Sequence, residues 1–346
     1  MRAPLRAALV AVATAASLVG TGSALAANIA TVAVSHAGAA TTIHVAVPQT
    51  TDPVAAIAIF VPSGYALNLT QAASTTIGKV DATANGHDVG LTLPLNGPVV
   101  ADSPAAHTAD ACSPGTHGAV WNLNLSVAGS TLVVPLYVDA TAGAAAALGA
   151  YQLLICLPPW DVPLGTPGRA FQGAQLLDAE FTVNGIFTPP TSGGLLVWHT
   201  LVTPYNPGLG TPNPVGTFEA RSLVGVPSLS LKASQKNGKY TVSGTASEGG
   251  VPVAGASVVV KRGVSATKLS KPGGGATTSA SGAWSASGKL TGKAPVYFKA
   301  TATAKERDAT AQGCATALPA TIVPGGCTSA TLGAWTVSSP VAKLKP

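Results

Sequence analysis

Apolar and polar side chains alternate with a period of two along much of the chain. From 296 to 304, Val296, Phe298, Ala300, Ala302 and Ala304 fall on one face, and Tyr297, Lys299, Thr301 and Thr303 on the other. That period predicts a half-buried antiparallel strand. Trp121, Leu123, Leu125 and Val127 alternate with Asn122, Asn124 and Ser126, and Ala128-Gly129-Ser130 turns the chain into a second strand over 131–138, a hairpin. Pro135 inside that second strand predicts an edge or a bulge, because it lacks an N–H for the ladder. Residues 42–47 alternate up to Pro48, and 55–61 are apolar throughout, as in a strand covered on both faces. Further strands are expected at 151–157, 175–183 and 195–202, with one or two helical turns in the alanine-rich 141–149 and proline-broken loops at 158–167 and 203–216.

The stretch YTVSGTASEGGVPVAGASVVVKR, 240–262, reads as an alternating strand, a tip at Glu248-Gly249-Gly250, and a valine run ending in two cations. It predicts an antiparallel pair. Asn237-Gly238, just before it, is a strong hairpin dipeptide. Nothing reads as a long amphipathic helix. Hydrophobic residues make up 47% of the chain, which argues against disorder, while 39 glycines and 27 prolines suit short strands joined by turns.

The N-terminus reads as an export signal. Arg2 and Arg6 precede an apolar run from Ala7 to about Val19, and Ser23 to Ala27 offers small residues for cleavage. The run is too short and too alanine-rich for a stable membrane span, so we expect cleavage near Ala27, a secreted product and no transmembrane anchor. A mature chain of about 320 residues has room for two or three domains. The four cysteines, Cys112, Cys156, Cys314 and Cys327, are an even set in an exported chain and favour disulfides. Three connectivities are possible. The local one, Cys112–Cys156 with Cys314–Cys327, is expected, worth about 4 and about 3 kcal/mol on a loop-entropy account.

Charge then divides the chain. Residues 28–220 hold ten acidic and two basic side chains, and 221–346 hold three acidic and fifteen basic. The boundary is expected between 221 and 227. The domains expected are a signal peptide (1–27), an acidic β-sandwich (28–225) and a basic domain (226–346). In the basic part Val242-Ser243-Gly244, Pro252-Val253-Ala254-Gly255-Ala256-Ser257-Val258 and Thr278-Ser279-Ala280-Ser281-Gly282-Ala283-Trp284 precede the strand at 296–304. This order resembles bacterial Ig-like domains, closest to the carboxypeptidase-regulatory, transthyretin-like kind. The resemblance implies a non-catalytic module of exported and surface proteins. The insertion LSKPGGGATTSASG and the last cysteine pair depart from the family's simplest pattern. The fold class expected is therefore all-β, two antiparallel Ig-like sandwiches; 28–225 resembles no family.

Candidates for chemistry are few. His107, Asp110, Cys112 and His117 carry zinc-ligand atoms within HTADACSPGTH, but a disulfide would consume the thiol and leave loop histidines. Asp178 and Glu180 share a strand face, as glycosidase carboxylates can, and read more simply as a solvated face. No G-x-S-x-G, H-E-x-x-H or phosphate-loop motif occurs. Trp160, in LPPWDVP, is the best candidate for sugar stacking, since the other tryptophans lie in apolar strand patterns. Lys232, Lys236, Lys239, Lys261, Arg262, Lys299 and Lys305 are candidates for binding an anionic surface. Stacking aromatics are not interleaved with them, so no nucleic acid is expected. The expectation is an exported, non-enzymatic structural or binding protein acting at the cell surface or extracellular matrix, without metal or cofactor, with an anionic cell-wall polymer or another surface protein as the partner expected. The alternatives are a carbohydrate-binding accessory protein and a hydrolase with an unrecognised site in 28–225.

Overall fold

The alternation builds strands almost throughout. The computed structural model describes residues 29–127, 129–191, 193–290 and 294–345, so the expected signal peptide lies outside the described residues. The largest element is one 13-stranded sheet. Its order is Thr31–Ala37, Ala40–Ala46, Ala174–Asn184, Thr76–Gly86, Leu91–Asp102, Ala119–Val127 and Ser130–Ala140. It continues through Tyr151–Cys156, Val54–Val61, Leu196–Pro204, Phe218–Val224, Cys327–Leu332 and Arg307–Asp308.

This differs from the expected antiparallel sandwich in two ways. Phe218–Val224 pairs with Cys327–Leu332 in parallel, so the sheet is mixed. The sheet also curls until its first strand meets its far end. Val34 donates its N–H to Ser222 Oγ at 2.8 Å, and the hydroxyls of Ser329 and Thr331 donate to the carbonyls of Ala30 and Val32. Hydroxyls thus satisfy an edge that would otherwise expose unpaired backbone. A single core fills the curl, with Ile43, Ile59, Trp121, Leu136, Trp198 and Phe218 fully buried.

Local signals hold within this sheet. The expected hairpin Ala119–Val127 with Ser130–Ala140 forms. Pro135 lies just past Leu136, the last residue paired to Tyr151–Cys156, so its missing N–H falls where that ladder ends. Both expected disulfides form, Cys112–Cys156 and Cys314–Cys327.

Two five-stranded sheets enclose a second core of Val242, Val258, Trp284, Phe298 and Ala300, among others. The strand Lys239–Glu248 is central in one sheet, flanked by Lys232–Lys236 and Ala283–Lys289. Its tip turns at Gly249-Gly250, both at positive φ, and Val251–Pro252 pairs back on Ser247 and Glu248. The valine run is a correction to the expected pair. After Gly255, at φ 74°, Ser257–Gly263 joins the facing sheet, beside Val296–Ala304 and Lys271–Thr277.

The chain does not stay with these two sheets. After Ala304 it returns to the large sheet through Arg307–Asp308 and Cys327–Leu332, then rejoins the smaller sheets at Trp335–Ser338. The boundary read near 225 therefore does not separate one set of sheets from the other. The signal was weak because a six-residue parallel strand between prolines and glycines carries no pairing code of its own.

Candidate functional site

The acidic residues of the basic half gather at one place. Between Ala220 and the C-terminus the only acids are Glu248, Glu306 and Asp308. Each faces the junction with the large sheet or lies beside it. Glu248 is buried, and its Oε2 accepts from Arg307 Nη2 at 2.7 Å and from the indole Nε1 of Trp335 at 2.8 Å. Its Oε1 takes the N–H of Gly225 at 3.3 Å. Glu306 reaches His44 on the large sheet at 3.2 Å. Asp308 accepts from the N–H and hydroxyl of Thr310.

The cations gather at the opposite end. Lys239 and Glu248 are the two ends of one 10-residue strand, so they lie roughly 30 Å apart at the usual rise. Lys236, Lys239 and Lys289 are direct cross-strand neighbours and all three are exposed. The outward positions between them and Lys232 hold Ser234, Thr241, Ser243, Ser285 and Ser287. On the facing sheet Lys261 is paired with Lys299, and Arg262 with Lys271. Arg262 ties the two sheets together at this end. Its guanidinium donates to the carbonyl of Lys289 and sits 5.3 Å from the centre of the Tyr240 ring. No acidic side chain occurs between Gly249 and Lys305, and none of the lysines in the row has an ion-pair partner among the described residues.

The seven expected cations divide accordingly. Lys236, Lys239, Lys261, Arg262 and Lys299 belong to the remote end, Lys232 sits mid-sheet opposite Ser243, and Lys305 lies beside the junction. Lys268, Lys271, Lys289 and Lys343 lie at the same end. Lys343 rests 5.6 Å from the centre of the Tyr297 ring, and only the pairing of Ala342–Leu344 with Val296–Ala304 reveals its place.

The other candidates are used otherwise. His107 bridges Asp110 at 2.7 Å and Asp102 at 3.2 Å, Tyr137 donates to Asp110, and His117 contacts Asp139 and the carbonyl of Ser113. Burial opposes a charge on His107, but the two carboxylates outweigh it and raise its pKa. The hydrogen bonds of His107 and Tyr137 in turn hold Asp110 below the ordinary carboxylate range. Cys112 is spent in its disulfide, so the four residues form no shared ligand set. Asp178 is held by His44 at 2.7 Å, while Glu180 stays exposed. Trp160 stacks flat on His87, with ring centres 3.8 Å apart, so one of its faces is covered.

Sequence reading missed one buried charge cluster. Glu219 is fully buried under the fork of Arg221, at 2.7 Å, and beside His199 at 2.5 Å. Burial raises the Glu219 pKa, yet His199 and Arg221 outweigh it and the carboxyl stays below its ordinary range. Arg221 also donates to the carbonyls of Gly313 and Thr316, which pins the disulfide loop over the strand. No protein-family model matches the chain, and no curated protein matches it.

Proposed function

We propose that this is an exported, non-catalytic binding protein whose smaller, Ig-like domain attaches to an anionic cell-wall polymer by the end remote from the large sheet. The observation that carries this reading is the row Lys236–Lys239–Lys289. Like charges directly opposite on neighbouring strands weaken a sheet, and here no acid relieves them. Lysines often protect sheet edges from aggregation. Lys239, however, lies on the central strand, where there is no edge to protect.

The hydroxyl-lined face beside the row fits a hydrated, repetitive partner more than an apolar one. Lysine suits it too, as a mobile point charge drawn to a diffuse array of negative groups. Export is supported by the two disulfides, which form in oxidising compartments. No helix among the described residues is long and apolar enough to cross a membrane. The Ig-like reading of this domain rests on its turn motifs and its two facing sheets.

The test is co-sedimentation of the whole protein with purified cell walls, before and after removal of their anionic polymers. Retention that vanishes on stripping supports the proposal. Retention that survives stripping contradicts it.

A further inference from the structure

A cavity of about 320 Å³ lies where the large sheet meets the smaller pair. Val34 and Leu196 line it from the large sheet, Pro227 and Trp335 from the smaller sheets, and Val226 from the connecting segment, with Pro189 and Pro190 at its side. It is not a gap left by loose docking. Right beside it the two parts touch backbone to backbone: a Cβ on Gly225 would lie 2.5 Å from the nitrogen of Gly249, and one on Gly333 would lie 2.0 Å from the carbonyl oxygen of Val34. The space is a cleft open on one side with a mainly apolar lining, the form that sites for small molecules usually take.

The fixed polar groups of the cavity define its chemistry. Trp198 donates its indole N–H to the Tyr65 hydroxyl at 3.3 Å. Tyr65 also shares a hydrogen bond with His36 Nε2 at 2.9 Å, and His36 Nδ1 shares one with Thr41 at 2.9 Å, so the ring is held at both nitrogens. Burial lowers the His36 pKa to about 4, which leaves it uncharged near neutral pH. Glu248 is charge-balanced by Arg307, and its Oε1 holds only the long bond from Gly225. A charged ligand would lose its hydration here without gaining a counter-ion. We infer that the cavity binds an uncharged, apolar molecule carrying one O–H or N–H donor for Glu248 Oε1, a site separate from the cationic end.

N-phenyl-1-naphthylamine has this chemistry: it is neutral and aromatic, with a single N–H. Titrated into the whole protein, its fluorescence should rise saturably with one site per chain. Val226→Trp and Ala334→Trp each place an indole in the cavity from a lining position, and each should weaken binding at least tenfold. Ala334 is exposed, so the second variant decides the matter if the first does not fold. Phe171→Asp, at the separate apolar groove beside Trp160, should leave binding unchanged. Absence of saturable binding, binding by both tryptophan variants as tight as that of the native chain, or loss only in Phe171→Asp would overturn the inference.

Discussion

Glu248 accepts the indole N–H of Trp335 at 2.8 Å, across 87 residues of sequence, and holds Arg307 with the same oxygen. One buried carboxylate at a hairpin tip thereby joins the smaller sheets to the segment that returns to the large one. Glu248→Ala leaves Arg307 without its counter-ion, and a loss of about 3 kcal/mol is expected. Trp335→Phe removes a neutral donor but leaves the ion pair, so roughly 1 kcal/mol is expected. Urea unfolding of both variants checks the order. Equal losses would mean that the ion pair is not what holds the junction.

The glycines of that tip should differ although both have positive φ. A Cβ on Gly249 would meet the Leu195 nitrogen at 2.7 Å, while one on Gly250 meets nothing within 4 Å. Gly250→Ala should cost only backbone strain, about 1–2 kcal/mol. Gly249→Ala should cost distinctly more, because it also pushes the two parts of the molecule apart. Thermal melts of the two variants, compared directly, read this difference.

His36 sets an acid limb in stability. Its pKa falls from 6.5 unfolded to about 4 in the fold, because burial disfavours the imidazolium. Between those values the unfolded chain binds the extra proton, so stability declines as pH drops through the window, by up to about 1.4 kcal/mol per pH unit. His44 and His107 are raised, so their contributions are complete below 6.5 and do not offset the decline. The lowered carboxylates, Glu219 among them, begin to lose theirs below the ordinary carboxylate range, at the acid end of this window, and finish as pH falls through their depressed pKa values. His36→Asn should flatten the limb between pH 6.5 and 4. An unchanged slope in urea titrations across that range would contradict the assignment.

The disulfide loop and the buried ion pair should act together. Arg221 binds the loop at Gly313 and Thr316, next to Cys314. Arg221→Ala leaves the buried Glu219 with His199 as its remaining partner and should cost about 3 kcal/mol. Replacing Cys314 and Cys327 by serine should cost about 3 kcal/mol. Combined, they should cost less than the sum, because each frees the same loop from Phe218–Val224. Strict additivity would show that the loop is held independently.

Much of the local structure was legible in sequence because it is local. The alternation of 296–304, the left-handed pair Asn237-Gly238 and the turn glycines Gly255 and Gly282 all depend on residues within a few positions of one another. The disulfide pairing followed from spacing. The parallel strand Cys327–Leu332 was not legible, since its partner lies over a hundred residues earlier. The burial of Glu219 and Glu248 was not legible for the same reason: their partners His199, Arg307 and Trp335 are brought near only by the tertiary fold. The cationic end was half legible. Its charge was countable, but only strand register sorted Lys239 and Lys289 from Lys305.

The cationic end itself is tested most directly by measuring retention of the whole protein on a purified anionic wall polymer across a salt series. The comparison is between the native chain, the triple variant Lys236→Glu, Lys239→Glu, Lys289→Glu, and the control Lys305→Glu beside the junction. Three exposed contacts at roughly 0.5 kcal/mol each amount to about a tenfold loss. That loss is expected in the triple variant, with little change in the control, and a steep fall for the native chain once salt brings the screening length to about 8 Å or less. Equal retention of all three proteins, or retention that ignores salt, would contradict attachment by the cationic end.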